Sequence, residues 1–143
     1  EQAGQPLRSE AALRRAIALN PDHHQALNYL GYMWAERGRN LKEAKSLIGR
    51  ALELNPDNPA YLDSLAWALF RMGDPRGAEP LMVKALQQVP DDPILLEHYA
   101  DILAALGRKP EAIENYRKAL LVGGPPVVLK DKIRANTRKL GKR

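Results

Sequence analysis

The chain has 143 residues, of which 45% are apolar and 27% charged, the composition of an ordinary globular domain with a hydrophobic core. It contains no cysteine, which excludes disulfides and thiol chemistry, and no apolar run approaches the roughly 20 residues that a membrane-spanning helix needs. The net charge of +5 lies at the C-terminal end, where residues 125–143 carry seven Lys or Arg against one Asp. The rest of the chain is therefore nearly neutral, and its composition does not indicate a nucleic-acid-binding domain.

Residues 7–19 form the first predicted helix. Leu13, Ala16 and Ile17 recur at helical spacing, and Pro21 follows the last turn, where a helix cannot continue. The apolar residues of this helix predict one face that needs a partner. The chain offers no preceding helix for it, so we expect either a longer parent array or pairing with another molecule through this face.

Three consecutive segments align from residue 24 onward, at 24–58, 59–92 and 93–124, with a period of 34 and one extra residue in the first. Each segment predicts two antiparallel helices. The small residues Gly31, Ala66 and Ala100 occupy one column, where two helices can cross closely. Glycines in a second column predict left-handed helix ends, and Asp or Asn beside the closing prolines predicts caps of the next helix. The predicted helices are 24–37, 41–54, 59–72, 76–89, 93–106 and 110–122.

The basic C-terminal segment 126–140 predicts a last, capping helix with one apolar edge formed from Val128, Ile133, Leu129, Thr137 and Leu140. Three interpretations of its charge stay open. It is a solvated cap, it contacts an acidic protein, nucleic acid or membrane head groups, or it folds back toward the acidic groove of another copy. The segment has no aromatic residue for base stacking, which disfavours nucleic acid.

These columns resemble the tetratricopeptide repeat family. The marks are the pair Leu30-Gly31, the pattern Ala112, Tyr116, Ala119 in a second helix, and the closing Asn55-Pro56. The resemblance implies an all-α, right-handed superhelical solenoid of antiparallel helix hairpins with about eight helices. Residues 7–21 would then be the second helix of an incomplete repeat. The resemblance also implies a scaffold that binds a protein or peptide, not an enzyme.

No constellation of residues predicts catalysis, a cofactor or a metal. His23, His24 and His98 are the only histidines. His98 has Asp101 three residues on, but a metal site requires two or more ligands on one face with a third nearby. No nucleophile triad, phosphate-binding glycine loop or HExxH helix is present. We therefore expect a binding protein without enzymatic activity.

The resemblance places a partner-binding groove along the first helix of each repeat. Tyr32, Trp67 and Phe70 would anchor apolar groups, and Asp63, Glu97 and Asp101 would select positive charge. This favours a partner with basic and apolar residues over an acidic peptide ending in EEVD. Burial of Trp67 and Phe70 by a following helix, and simple solvation of the carboxylates, stay open. The predicted groove residues are Gln25, Asn28, Tyr32, Asp63, Trp67, Phe70, Arg71, Glu97, His98 and Asp101.

A second hypothesis is a self-associating array, in which the terminal helices form homo-oligomers and the groove is incidental. The run 26–67 resembles the C-terminal repeats of large bacterial tetratricopeptide proteins, several of them exported or lipid-anchored. This regional likeness predicts a bacterial source and leaves periplasm or cytoplasm open.

Overall fold

The computed structural model describes residues 9–141, with side chains as far as Arg138, and all regular structure in that range is helical. The chain divides into two compact units between Gly73 and Asp74. Four helices belong to each unit, and none of the eight is long and apolar enough to cross a membrane. The helices are α1 (Glu10–Leu19), α2 (His24–Arg37), α3 (Leu41–Leu54), α4 (Pro59–Arg71), α5 (Pro75–Gln88), α6 (Pro93–Ala105), α7 (Lys109–Leu121) and α8 (Pro126–Gly141).

The helix ends agree with the sequence pattern to within about a residue, apart from the first helix, because capping chemistry sets them. The side chains of Asn58 and Asp92 accept hydrogen bonds from the first turns of α4 and α6, as predicted. At α2 the sequence pattern predicts Asp22, the acidic residue beside Pro21, as the cap, but the cap is His23, whose Nδ1 accepts from the N–H of Ala26. The predicted start of the first helix, at residues 7 and 8, lies outside the described residues.

The first unit packs α1 to α4 around side chains with no exposed surface. Leu13, Leu27 and Ile48 are fully buried, and Trp34, predicted to be core, is 2% exposed. The indole N–H of Trp34 donates to Glu10 Oε1 at 3.2 Å, and the Arg14 guanidinium lies 5.1 Å from the ring centroid. Trp34 therefore joins α1 to the α2–α3 hairpin.

Gly31 lets the helices of this hairpin approach closely, as its repeat column predicts. A Cβ at Gly31 would lie 2.5 Å from Ile48 Cγ1 and 3.0 Å from the carbonyl oxygen of Ala44. We expect Gly31→Ala to lower the free energy of unfolding by about 1–3 kcal/mol, because the close contact must be relieved.

Gly49 provides the matched control, because it lies in α3 and a Cβ there would meet no atom within 4 Å. Gly49→Ala should raise the free energy of unfolding by about 0.5–1 kcal/mol, since Ala loses less backbone entropy in a helix. Chemical denaturation of both variants checks the pair. Equal effects of the two substitutions would contradict a close crossing at Gly31.

The second unit packs α5 to α8 around a core that includes Met82, Leu103 and Leu129, all without exposed surface. The predicted apolar edge of the last helix is only partly present. Leu129 is buried and Ile133 is partly buried against the core, whereas Val128 is 45% exposed and Thr137 is exposed. The side chain of Leu140 lies outside the described residues. The last helix is thus attached along a narrow strip.

Candidate partner-binding surfaces

Seven of the ten predicted groove residues belong to the first unit and three to the second. Those of the first unit lie on neighbouring first helices, and we call their surface the α2/α4 face. Those of the second unit lie on α6. The α2/α4 face comprises Gln25, Asn28, Tyr32, Asp63, Trp67, Phe70 and Arg71, and the α6 residues are Glu97, His98 and Asp101.

Trp67 is core, and its predicted exposure in a groove is wrong. Only 7% of the residue is exposed, and it packs in a cluster with Ala35, Ile48 and Ala68. Its ring stacks on Phe70, with centroids 4.9 Å apart and the planes at 25°. The reason is local packing, because the small side chains of Ala35 on α2 and Ala68 on α4 leave room for the indole. Trp67 supports the face from beneath and does not form its surface.

The accessible part of the α2/α4 face is a rim around this indole. Tyr32 and Phe70 pack on the Trp67 cluster and are partly exposed. The Tyr32 hydroxyl donates to Glu36 Oε2 at 2.8 Å, which holds the ring edge in place. Gln25 and Arg71 are exposed, and the Arg71 guanidinium lies beside the α2–α3 turn at Gly38. The rim offers two aromatic edges next to polar side chains.

Two polar residues lie within the face rather than on a solvated surface. Asn28 and Asp63 are each 6% exposed, so simple solvation does not describe Asp63. In the described part of the chain, Asn28 Oδ1 is buried and accepts no hydrogen bond. A buried acceptor without a hydrogen bond destabilises the folded protein by about 1–3 kcal/mol, so its presence in this face is unusual.

The α6 residues are also less accessible than predicted. His98 is 8% exposed, so the prediction that it reaches a groove is wrong for the chain as folded here. Glu97 and Asp101 have side chains that are only 18% and 16% exposed. Both carboxylates are occupied by a residue of the same chain.

Lys132 of α8 binds these two carboxylates. Its Nζ donates to Glu97 Oε2 at 2.6 Å and lies 3.1 Å from both carboxylate oxygens of Asp101. The Tyr116 hydroxyl donates to Asp101 Oδ1 at 2.5 Å, and the Lys132 ammonium lies 5.8 Å from the Tyr116 ring centroid. We call this group of four side chains the lysine clamp. The basic tail thus folds onto acidic residues of its own chain.

The clamp shifts two pKa values upward. Burial by itself lowers the pKa of Lys132, but the hydrogen bond to Glu97 and the charge of Asp101 outweigh it and raise the pKa. Burial and the hydrogen bond to Asp101 raise the pKa of the Tyr116 hydroxyl. Both groups are therefore held in their protonated forms.

Alkaline pH should release the clamp. Because both pKa values are raised, the stability that the clamp contributes is fully present below pH 10.0 and is lost as the pH rises past 10.5 and through the folded-state values. As the pH rises above 10.5, we expect the free energy of unfolding of the wild type to fall by about 1 kcal/mol more than that of Lys132→Gln. The difference is this small because the ammonium is partly exposed. Parallel pH profiles of the two proteins would contradict the assignment.

Sequence reasoning missed Lys132 and Tyr116 as members of a site. The sequence pattern places Tyr116 only in a repeat column, and Lys132 only among several tail cations. The available signal was the acidic pair Glu97 and Asp101, four residues apart on one helix face, next to a basic last helix. Within residues 9–141, no group of three or more His, Cys, Asp or Glu side chains is arranged to hold a metal.

Comparison with known proteins gives one family. The family model described as "Tetratricopeptide repeat" matches residues 1–122. The TPR repeat-containing protein PA4667 of Pseudomonas aeruginosa is 48% identical over 82 residues, which are 57% of this chain and 14% of that protein. The chain thus spans about a seventh of that relative's length, and the likeness points to a bacterial origin.

Solved structures share the arrangement of helices. The crystal structure of MamA superposes with a TM-score of 0.75 at 16% identity, over 92% of this chain and 77% of that one. The first TPR of Spaghetti (RPAP3), bound to the HSP90 peptide SRMEEVD, also has a TM-score of 0.75, at 19% identity, over 83% of this chain and 94% of that one. At these identities the likeness shows the fold, an all-α array of helical hairpins.

Proposed function

The chain belongs to the tetratricopeptide repeat family, whose members are generally non-enzymatic proteins of protein–protein interaction, and from this we propose that it binds a partner segment on the α2/α4 face. The partner carries apolar residues together with Lys or Arg. Tyr32 and Phe70 contact the apolar groups, and the carboxylate of Asp63 favours the positive charge.

Asn28 carries this proposal. A buried amide oxygen without a donor is unfavourable in the free protein, and it gains a hydrogen bond when a partner brings an N–H group to the face. A rotation about the last side-chain torsion exchanges the oxygen and the nitrogen, so the amide can present its acceptor to a backbone N–H. An extended segment supplies such donors at regular intervals, and a helical segment supplies them in its first turn.

Asp63 separates this partner from the acidic peptide of the solved relative, whereas Arg71 carries the opposite charge at the exposed rim. That peptide ends in EEVD, and its carboxylates would approach Asp63 on the α2/α4 face. Pairing of Glu97 and Asp101 with Lys132 supports the basic partner, since it gives an example of carboxylates in the predicted columns accepting an ammonium. We therefore propose a basic and apolar partner.

Peptide selection tests the proposal and requires no identified partner. A random peptide library displayed on phage is selected on the intact chain, and bound sequences are compared with the unselected library. We expect enrichment of Lys or Arg beside aliphatic or aromatic residues, and loss of binding in Phe70→Ser. Tyr29→Ser is the control, because Tyr29 is 53% exposed on the same helix as Asn28. Enrichment of acidic peptides would overturn the proposal.

Self-association through α1 is the second candidate. Leu19 is 87% exposed, and a cleft of about 390 Å³ opens between α1 and α3, lined among others by Ile17, Leu30 and Leu47. A helix from another copy would cover these apolar side chains. Sedimentation equilibrium at increasing concentration tests it, and a strict monomer at the highest concentration would exclude it.

A further inference from the structure

The last helix, α8, buries fewer of its residues than α2 or α6, the first helices of two repeats. Of the thirteen α8 residues whose side chains are described, two are buried, Leu129 and Asn136. In α2, by contrast, seven of fourteen residues are buried, and in α6 six of thirteen. Elements that bury little apolar surface open at low free-energy cost. Polar contacts therefore contribute an unusually large share of the attachment of α8.

The lysine clamp is the main polar contact. Lys132 is the α8 side chain that reaches both Glu97 and Asp101 in the described structure, and its ammonium meets three carboxylate oxygens and an aromatic ring. Three acceptors match the three N–H bonds of an ammonium, which a planar guanidinium would not reproduce. The other cations of the described part of α8 do not share this place, since Lys130, Arg134 and Arg138 are exposed.

A short connection joins α8 to α7. Four residues, 122–125, separate the two helices, and Gly123 adopts a left-handed backbone with φ 97°. Tyr116 and Asp101, which complete the clamp, lie on α7 and α6 and would stay in place when α8 leaves. Release of α8 would leave an acidic site with an aromatic wall.

We propose that α8 is a displaceable cap. Its Lys132 occupies a lysine-binding site formed by Glu97, Asp101 and Tyr116, and a helical segment of a partner that carries a lysine replaces α8 at this site. This inference deepens the proposed function and rests on it for the nature of the partner. Binding at α6 is then competitive with α8. A partner must supply a lysine at the place of Lys132 and an aliphatic residue at the place of Leu129.

The α8 sequence itself is the probe for this site. A fluorescein-labelled peptide with the sequence of residues 126–141 is titrated into the intact chain and into Lys132→Gln, with binding followed by anisotropy. The tethered α8 of the wild type competes with the peptide at a high effective concentration. We expect Lys132→Gln to bind the peptide at least about tenfold more tightly, because its own cap is weakened. Lys130→Gln is the matched control and should bind like the wild type.

The peptide's own lysine gives the second comparison. A peptide in which Lys132 is replaced by Gln should bind the Lys132→Gln chain about tenfold more weakly than the natural peptide does. Hydrogen exchange adds a readout that needs no peptide, since the amides of α8 should exchange faster in Lys132→Gln than in Lys130→Gln.

Two results would overturn the inference. In the first, the natural peptide binds the wild-type chain and the Lys132→Gln chain with equal affinity. In the second, the natural peptide and the peptide with Gln at position 132 bind the Lys132→Gln chain with equal affinity. The first result would make α8 a fixed cap, and the second would leave the lysine without a role in the binding of α8. These measurements involve α6, α7 and α8 and leave Asn28 and Phe70 unchanged, so failure here is distinct from failure of the proposed function.

Discussion

Trp67→Ala is expected to lower the free energy of unfolding by about 3–5 kcal/mol, because it removes a large buried ring and leaves a cavity. The indole is 7% exposed and packs on Ile48 and Phe70, so the neighbouring helices lose their contacts together. Chemical denaturation followed by circular dichroism at 222 nm measures the effect. It is the largest stability change that we expect from any residue of the α2/α4 face.

Tyr29→Ala is the control for Trp67→Ala, because Tyr29 is an aromatic residue of the first unit with 53% of its surface exposed. Its effect should stay within about 0.5 kcal/mol, as for most surface substitutions. An effect of Trp67→Ala below 1 kcal/mol would contradict the burial of the indole. A loss of partner binding at unchanged stability would make the indole a binding residue.

Asn28→Leu should affect stability and binding in opposite directions. Leucine has a similar volume and no acceptor to leave unsatisfied, so we expect the free energy of unfolding to rise by about 1 kcal/mol. The same substitution removes the hydrogen bond to a partner, and the affinity for a peptide selected on the wild type should fall by about tenfold to a hundredfold. Denaturation and isothermal titration calorimetry measure the two quantities.

Asn115→Leu is the matched control for Asn28→Leu. Asn115 is also buried, at 8% exposure, but its Nδ2 donates to the carbonyl oxygen of Glu111 at 2.9 Å. Losing that satisfied bond should lower the free energy of unfolding by about 1 kcal/mol and leave the peptide affinity unchanged. If Asn28→Leu and Asn115→Leu behave alike in both assays, the unsatisfied acceptor has no role in binding.

The sequence predicts the helices well because their determinants are local. Apolar spacing places the helix bodies, and Asn58, Asp92 and the turn glycines place the ends. The crossing at Gly31 could also be predicted, since the same column holds a small residue in every repeat. Family comparison and structural similarity confirm the helical-hairpin fold on the same basis.

The candidate site could be predicted only as a set of columns, because the exposure of a side chain depends on its tertiary neighbours. Trp67 has the register of a groove residue, yet Ala35 and Ala68 leave room for its ring beneath the surface. Glu97 and Asp101 have the register of free carboxylates, yet the ammonium of Lys132, more than thirty positions away, pairs with both. Such long-range pairing leaves no periodic signal in the sequence.

The most direct test of partner binding on the α2/α4 face is the amide spectrum of the ¹⁵N-labelled chain, recorded with and without a peptide selected from the library. Partner binding there predicts that the largest shift changes fall on the amides of α2 and α4, with the Asn28 side-chain amide among them. Changes confined to α3, α5 and α7, with α2 and α4 unperturbed, would contradict it.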